Sequence, residues 1–180
     1  YDIENIEVSK GHGVYCRDNP WSRSKSWIIK SIIHMYMCIG AKPYDIRVCA
    51  PDNKTVYGLN QYIEEVLASD SDYSPYMQCR NDYDIDVFNG EIGLSNDGGK
   101  IIDFGGSRIV ECTYSMKLAW ACTVHKMQGC QCRGLVIALP PRSVGMMDRH
   151  LFYTALSRSS QMVFVCGDLA AMDKALARKR

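Results

Sequence analysis

The sequence predicts an α/β fold: a parallel sheet flanked by helices, with a small antiparallel β-barrel inserted in it. Three observations carry that expectation. Amphipathic helical stretches alternate with short apolar strands toward both ends of the chain, whereas a middle stretch carries brief alternating runs punctuated by Asn-Gly, Asp-Gly and Gly-Gly. The chain has 180 residues, 47% of them apolar, enough for one core of this kind with one small insertion.

Each element follows from its residues. Residues 1–23 carry no pattern that assigns them a role. Ser24 or Ser26 is placed to cap a helix whose apolar positions Ile28, Ile32, Met35, Tyr36 and Ile39 follow helical spacing, and Gly40 ends it. Asp45 to Ala50 reads as a short buried strand stopped by Pro51, and Leu59, Tyr62, Ile63, Val66 and Leu67 mark a second helix. Helix, strand and helix at this spacing argue for a parallel sheet. From Asp72 to Tyr114 five short runs follow: Tyr76–Cys79, Asp86–Phe88, Glu91–Leu94, Lys100–Phe104 and Arg108–Cys112. They are separated by Asn89-Gly90, Asp97-Gly98-Gly99 and Gly105-Gly106, hairpin chemistry in which the central residues take positive φ. Residues 72–114 therefore read as the inserted barrel. The α/β texture then returns, with a strand at Gly134–Leu139 ended by Pro140-Pro141, a helix at Asp148–Ser157 and a strand at Gln161–Cys166. A last helix, Leu169–Ala177, ends in a basic tail, Arg178-Lys-Arg180. Residues 24–71 and 115–180 make up the unit around the insertion.

Charge and composition exclude more than they assign. Lys and Arg number 21 against 20 Asp and Glu, so no global basic field advertises a polyanionic partner and any phosphate contact must be local. No apolar run approaches the roughly 18 to 20 residues of a membrane helix; the longest, Trp27 to Ile39, is broken by Lys30, Ser31 and His34. The polar start is no signal peptide, and opening on Tyr1 rather than Met leads to the expectation of a piece of a longer protein. Nine cysteines, an odd count scattered through apolar runs, read as reduced thiols in an intracellular setting, cytoplasm or nucleus.

Two segments carry chemistry. Thr123-Val-His-Lys-Met-Gln-Gly129 packs a hydroxyl, an imidazole, an ammonium and an amide behind an apolar run, where α/β sheets place ligands. Leu151-Phe-Tyr-Thr-Ala-Leu-Ser-Arg158 puts an arginine at the end of an amphipathic helix, just before a strand. That guanidinium either meets a phosphate or answers the dipole of its own helix. Cys122, His125, Cys130 and Cys132 have zinc-ligand types, but Cys122 lies in an apolar run, and no metal is assigned.

Together the two segments resemble motifs V and VI of the RecD-like helicases of superfamily one, usually Thr-Val-His-Lys-Ser-Gln-Gly and Leu-Tyr-Thr-Ala-[Ile/Leu]-[Ser/Thr]-Arg. The run Asn81 to Gly93 is similar to the lead into the small, SH3-like barrel of their second motor lobe, and Asp45 to Pro51 with Tyr57-Gly-Leu-Asn60 to the start of that lobe. The resemblance covers roughly residues 25 to 175. It implies a RecA-like lobe of an ATP-dependent DNA helicase. Arg158 then matches the arginine finger that crosses to the γ-phosphate. Gln128, Gly129, Gln131 and Lys54 fall to ATP, and Thr123, His125 and Lys126, with Asn81 and Tyr83, to single-stranded DNA. ATP and Mg²⁺ are the implied cofactors. His125 thereby has a role other than binding metal.

The departures bear on nucleotide affinity. Where the family continues with Ser-Glu-Phe, this chain has Cys130-Gln131-Cys132, so an amide stands for a carboxylate, and Met127 replaces a serine. These changes and the cysteine-rich strands point toward a divergent, viral member. A phosphate-cradling loop needs Gly-x-x-x-x-Gly-Lys-[Ser/Thr], and the one Gly-Lys pair, Gly99-Lys100, is followed by Ile101. The expected partner is therefore a P-loop lobe of the same parent protein, without which the chain is expected to be inactive. The alternatives are a non-catalytic module that binds single strands or a protein through its barrel, and a zinc-binding regulatory domain.

Overall fold

The computed structural model describes residues 13–18, 21–67 and 72–177; the basic tail and residues 1–12 lie outside the described residues. Sheet A is wholly parallel. Its strands are β1 (Gly13–Asp18), β2 (Ile46–Ala50), β8 (Ala121–Thr123), β9 (Cys132–Leu139) and β10 (Ser159–Gly167), in the order β1-β10-β9-β2-β8. Helices α1 (Trp21–Ile39) and α2 (Asn53–Leu67) cover one face. Ile28, Ile32, Leu59 and Ile63 there meet Val48, Val136 and Phe164. Helices α3 (Arg149–Leu156) and α4 (Leu169–Leu176) cover the other, with Ala155 and Met172 against Cys49, Leu135, Ile137 and Val165. Because both faces are buried, the central strands are mostly apolar, with Arg47 of β2 as an exception.

Helix α1 begins at Trp21, so Ser24 and Ser26 lie inside it and neither caps it; the Ser26 hydroxyl donates back to the Arg23 carbonyl at 2.8 Å. Its end is as expected: Gly40 takes φ +56°. The Arg133 guanidinium completes that end by donating to the carbonyls of Ile39 and Gly40. At α2 the capping residue is Asp52, whose carboxylate accepts from the Thr55 N–H at 2.8 Å and the Thr55 hydroxyl at 2.7 Å.

Sheet B is antiparallel: β3 (Ser74–Gln78), β4 (Ile92–Ser95), β5 (Ile101–Asp103), β6 (Ile109–Glu111) and β7 (Met116–Leu118), in the order β6-β5-β4-β3-β7. The order is open, with β6 and β7 as edges, so the small antiparallel barrel expected is present as a half-barrel. Asp86–Phe88 forms no strand: Asp86 sits at φ +52° and Val87 makes a single bridge to Asp82. The fifth strand is β7, just past the stretch read as the insertion. At the β4–β5 turn the positive φ belongs to Gly98 and Gly99, while the Asp97 carboxylate accepts from the Lys100 and Ile101 amides. A side chain at Gly99 would run into the Tyr76 hydroxyl.

The path between β8 and β9 positions the candidate site. β8 and β9 both pair parallel with β2, one on each side, so the chain must travel from the carboxyl end of sheet A back to its amino end. It does so without an α-helix, in residues 124–131, beginning with a 3-10 turn at Val124–Met127. Val124 and Met127, at 0% and 1% exposed, anchor this crossover in the core. The polar residues between and after them are left at the surface.

Candidate nucleic-acid interface

A cleft of about 720 Å³ opens where the carboxyl end of β8 meets sheet B. One wall is helix α2, whose Asn53, Tyr57, Asn60 and Gln61 fall on one stripe at helical spacing. Thr123 and Lys126 form the second wall, and Lys117 of sheet B with Cys79, just past β3, the third. Among the described residues, those lining the cleft include two lysines and no carboxylate. Tyr57 is 70% exposed there, a ring without cover. The Thr123 hydroxyl does not cap the 3-10 turn that follows it, and the Lys126 ammonium lies 3.7 Å from the Cys79 sulfur, joining two walls. Such a lining suits a polyanion carrying flat rings.

The edge strand β8 is held in place by Asn60. Its amide donates to the Ala121 carbonyl at 2.9 Å and accepts from the Ala121 N–H at 2.8 Å. A single side chain thus supplies to the free edge what a neighbouring strand would supply. Asn60 and Tyr57 stand in the sequence beside the motif resemblance, but nothing local marks Lys117 as a wall of the same cleft.

The remaining expected site residues separate into groups. His125 is exposed on the 3-10 turn, next to Lys126. Gln128, Gly129 and Gln131 are exposed along the crossover, and Gly129 takes φ +88°. The end of that crossover meets Arg158, since the Cys132 N–H donates to the Arg158 carbonyl at 3.0 Å. The amino end of sheet A therefore gathers Arg158 and Gln131. Lys54, expected to share ATP with them, stands on the first turn of α2 at the carboxyl end, next to the cleft residue Asn53. The Arg158 guanidinium is folded onto its own helix: Nε donates to the Thr154 carbonyl at 3.1 Å and Nη2 to the Ser157 hydroxyl at 3.2 Å.

Asn81 and Tyr83 are not among the cleft residues. Asn81 is used within its own loop, accepting from the Asn89 N–H at 2.9 Å, and Tyr83 packs edge-on against Phe88 with centroids 5.9 Å apart. Asp82, Asp84 and Asp86 share that loop, a poor neighbourhood for phosphate.

Beneath the crossover a charged group is fully enclosed. Arg47 is 6% exposed, and its guanidinium donates to the Ile46 carbonyl at 2.6 Å and the Pro43 carbonyl at 3.3 Å. Burial lowers its pKa, countered in part by the Asp45 charge. Burial also pushes Cys132 up to about 12 and Cys122 up to about 11, so both remain thiols and pack as small apolar groups. Among the described residues no group of three or more His, Cys, Asp or Glu side chains could hold a metal ion. No helix among them is long and apolar enough to cross a membrane.

Comparison with known proteins places these elements. Residues 118–166, from β7 through β10, match the UvrD-like helicase C-terminal domain. The chain is 35% identical over 111 residues to the ATP-dependent RecD2 DNA helicase of Deinococcus radiodurans, an overlap of 58% of this chain and 15% of that protein. It is 30% identical over 109 residues to the RecD subunit of the RecBCD enzyme of Mycolicibacterium smegmatis, covering 58% of this chain and 20% of the relative. The chain thus spans a fifth or less of the length of these relatives. Both are bacterial, which lends no support to a nuclear or viral setting. A solved Pif1 helicase double mutant from Bacteroides overlaps 72% of this chain and 44% of its own at 17% identity, with a TM-score of 0.39, too low to establish a shared fold. Residues 118–166 are thus similar to the UvrD-like helicase C-terminal domain, and the chain is similar over about 110 residues to RecD-type helicases.

Proposed function

We propose that this chain is the second, RecA-like motor lobe of an ATP-dependent DNA helicase, with single-stranded DNA in the cleft between α2, the Thr123–Lys126 turn and sheet B. Residues 24–71 and 115–180 form the lobe, and 72–114 stand where the small SH3-like barrel of the family is inserted. The observation that carries the reading is that Thr123 and Lys126, singled out as strand contacts by their motif, line the carboxylate-free cleft together with Tyr57 and Lys117. The lysines meet backbone phosphates and Tyr57 stacks on a base. At the opposite end of the sheet, Arg158 and Gln131 face a P-loop lobe that supplies most of the contacts to ATP and Mg²⁺. There Arg158 leaves its two bonds on α3 and reaches the γ-phosphate as the arginine finger. Lys54 goes with the strand rather than with ATP.

The test is binding of a short fluorescent oligo(dT) by anisotropy at rising salt. Lys126→Ala weakens binding about tenfold and reduces the magnitude of the salt slope by about one, the signature of one lost phosphate contact. An unchanged slope would remove Lys126 and the cleft from the strand path. A second reading, a binding module without turnover, draws on the fact that the Arg158 guanidinium is hydrogen-bonded to its own helix.

A further inference from the structure

The cleft is built from two sheets, so its width depends on the angle between them. The chain enters sheet B at Ser74, the first residue of β3, and leaves it through β7, reaching β8 by way of Ala119 and Trp120. One carboxylate meets both crossings. Glu64, on α2, accepts from the Trp120 indole N–H at 2.6 Å with one oxygen and from the Ser74 hydroxyl at 2.7 Å with the other. Trp120 is 1% exposed and Ser74 is buried, so neither donor has water as a ready substitute. Between them the backbone makes one further tie, from the Ala119 N–H to the Pro75 carbonyl at 2.8 Å. Tyr76 of β3 also feels Glu64: its pKa is raised, first by burial and then by the Glu64 charge.

We infer that Glu64 is a positioning residue, the joint that fixes sheet B against the lobe and thereby sets the width of the cleft. Spacing on α2 supports this, because Glu64 lies one turn beyond Asn60 on the stripe that includes Asn53 and Tyr57. The same helix face thus lines the cleft, pins β8 and ends in the joint. The donors select a carboxylate. An indole N–H and a hydroxyl both need acceptors, and a carboxylate has two oxygens and no hydrogen to give. A glutamine of the same shape offers one oxygen and turns an N–H₂ toward the other donor.

This inference rests on the strand-path reading for its functional consequence but not for its geometry, and the experiment separates the two. Residual dipolar couplings are measured on the full chain, for the wild type and Glu64→Gln, at a temperature where far-UV circular dichroism shows both folded. Couplings from sheets A and B of the wild type fit one alignment tensor. In the variant, sheet B needs its own, weaker tensor, and oligo(dT) binding falls about fivefold as lysines on opposite walls lose register. Couplings in Glu64→Gln that still fit one tensor overturn the joint. A separate tensor with unchanged oligo(dT) binding upholds the joint and overturns the cleft as the strand path. Should Glu64→Gln fail to fold, Ser74→Ala removes one of the two bonds and is judged by the same couplings.

Discussion

At the carboxyl end of sheet A the cleft is assembled within this chain: three walls, two lysines, an uncovered tyrosine and an edge strand already pinned by Asn60. At the amino end the opposite holds, for Arg158 lies on its own helix and Gln131 points to solvent. The crossover 124–131 links the two ends in a single uninterrupted segment, and its two buried residues leave it little freedom. Grip on a strand needs a fixed, water-lined groove and can be preorganised in one lobe. Charge neutralisation during phosphoryl transfer needs a donor that arrives when nucleotide is present, so a resting arginine held by two exchangeable bonds is suited to it.

Three measurements test that contrast. The largest effect concerns the amino end. In a protein that also carries the P-loop lobe, Arg158→Ala lowers DNA-stimulated ATP hydrolysis about a thousandfold while oligo(dT) affinity stays within about twofold. Unchanged turnover would remove the arginine finger and favour the binding module. Next comes the carboxyl end, where Asp52 caps α2. Burial alone would raise its pKa, but the hydrogen bonds from the Thr55 N–H and hydroxyl, with the Arg142 charge, outweigh it, leaving the carboxyl below its ordinary 3.8. A lowered folded value means the stabilisation is complete above the unfolded pKa and is lost as pH falls through the folded one. Asp52→Ala therefore costs about 1 kcal/mol in urea unfolding at neutral pH. The gap to wild type closes on acidification below about pH 4; a constant gap would show that the charge plays no part. The smallest effect is expected for Tyr83→Ala, which changes oligo(dT) binding less than about twofold because its loop carries three aspartates and stands apart from the cleft. A loss as large as that of Lys126→Ala would add the loop to the strand path.

Legibility in the sequence followed burial. Strands β2, β9 and β10 were readable because both faces are covered, which makes most of each strand apolar, as in Gly134–Leu139 and Met162–Cys166. The three-residue strands β7 and β8 are too short for a period to show, and β1, at the sheet edge, mixes exposed and half-buried positions. The run at Asp86–Phe88 looked like a strand by alternation alone, whereas a positive φ at Asp86 turns the chain there. Within the site, the crossover residues were legible because their chemistry is compressed into one segment. Lys117 and Glu64 were not, since each acts on a partner brought near only by the fold; Glu64 and Trp120 are 56 residues apart in sequence. The separation of Lys54 from Arg158 was likewise hidden, because sequence order does not say that one lies past the end of β2 and the other before the start of β10.

The meeting of Ser74 and Trp120 on one carboxylate also has a consequence for descent. From the lobe's side, the whole of sheet B is a detour that returns to its starting point, its two ends no farther apart than the span of a single side chain. A segment attached in that way can be lengthened, exchanged or lost while the parallel strands keep their order, so related lobes are free to diverge at this appendage and remain alike in the frame that carries it.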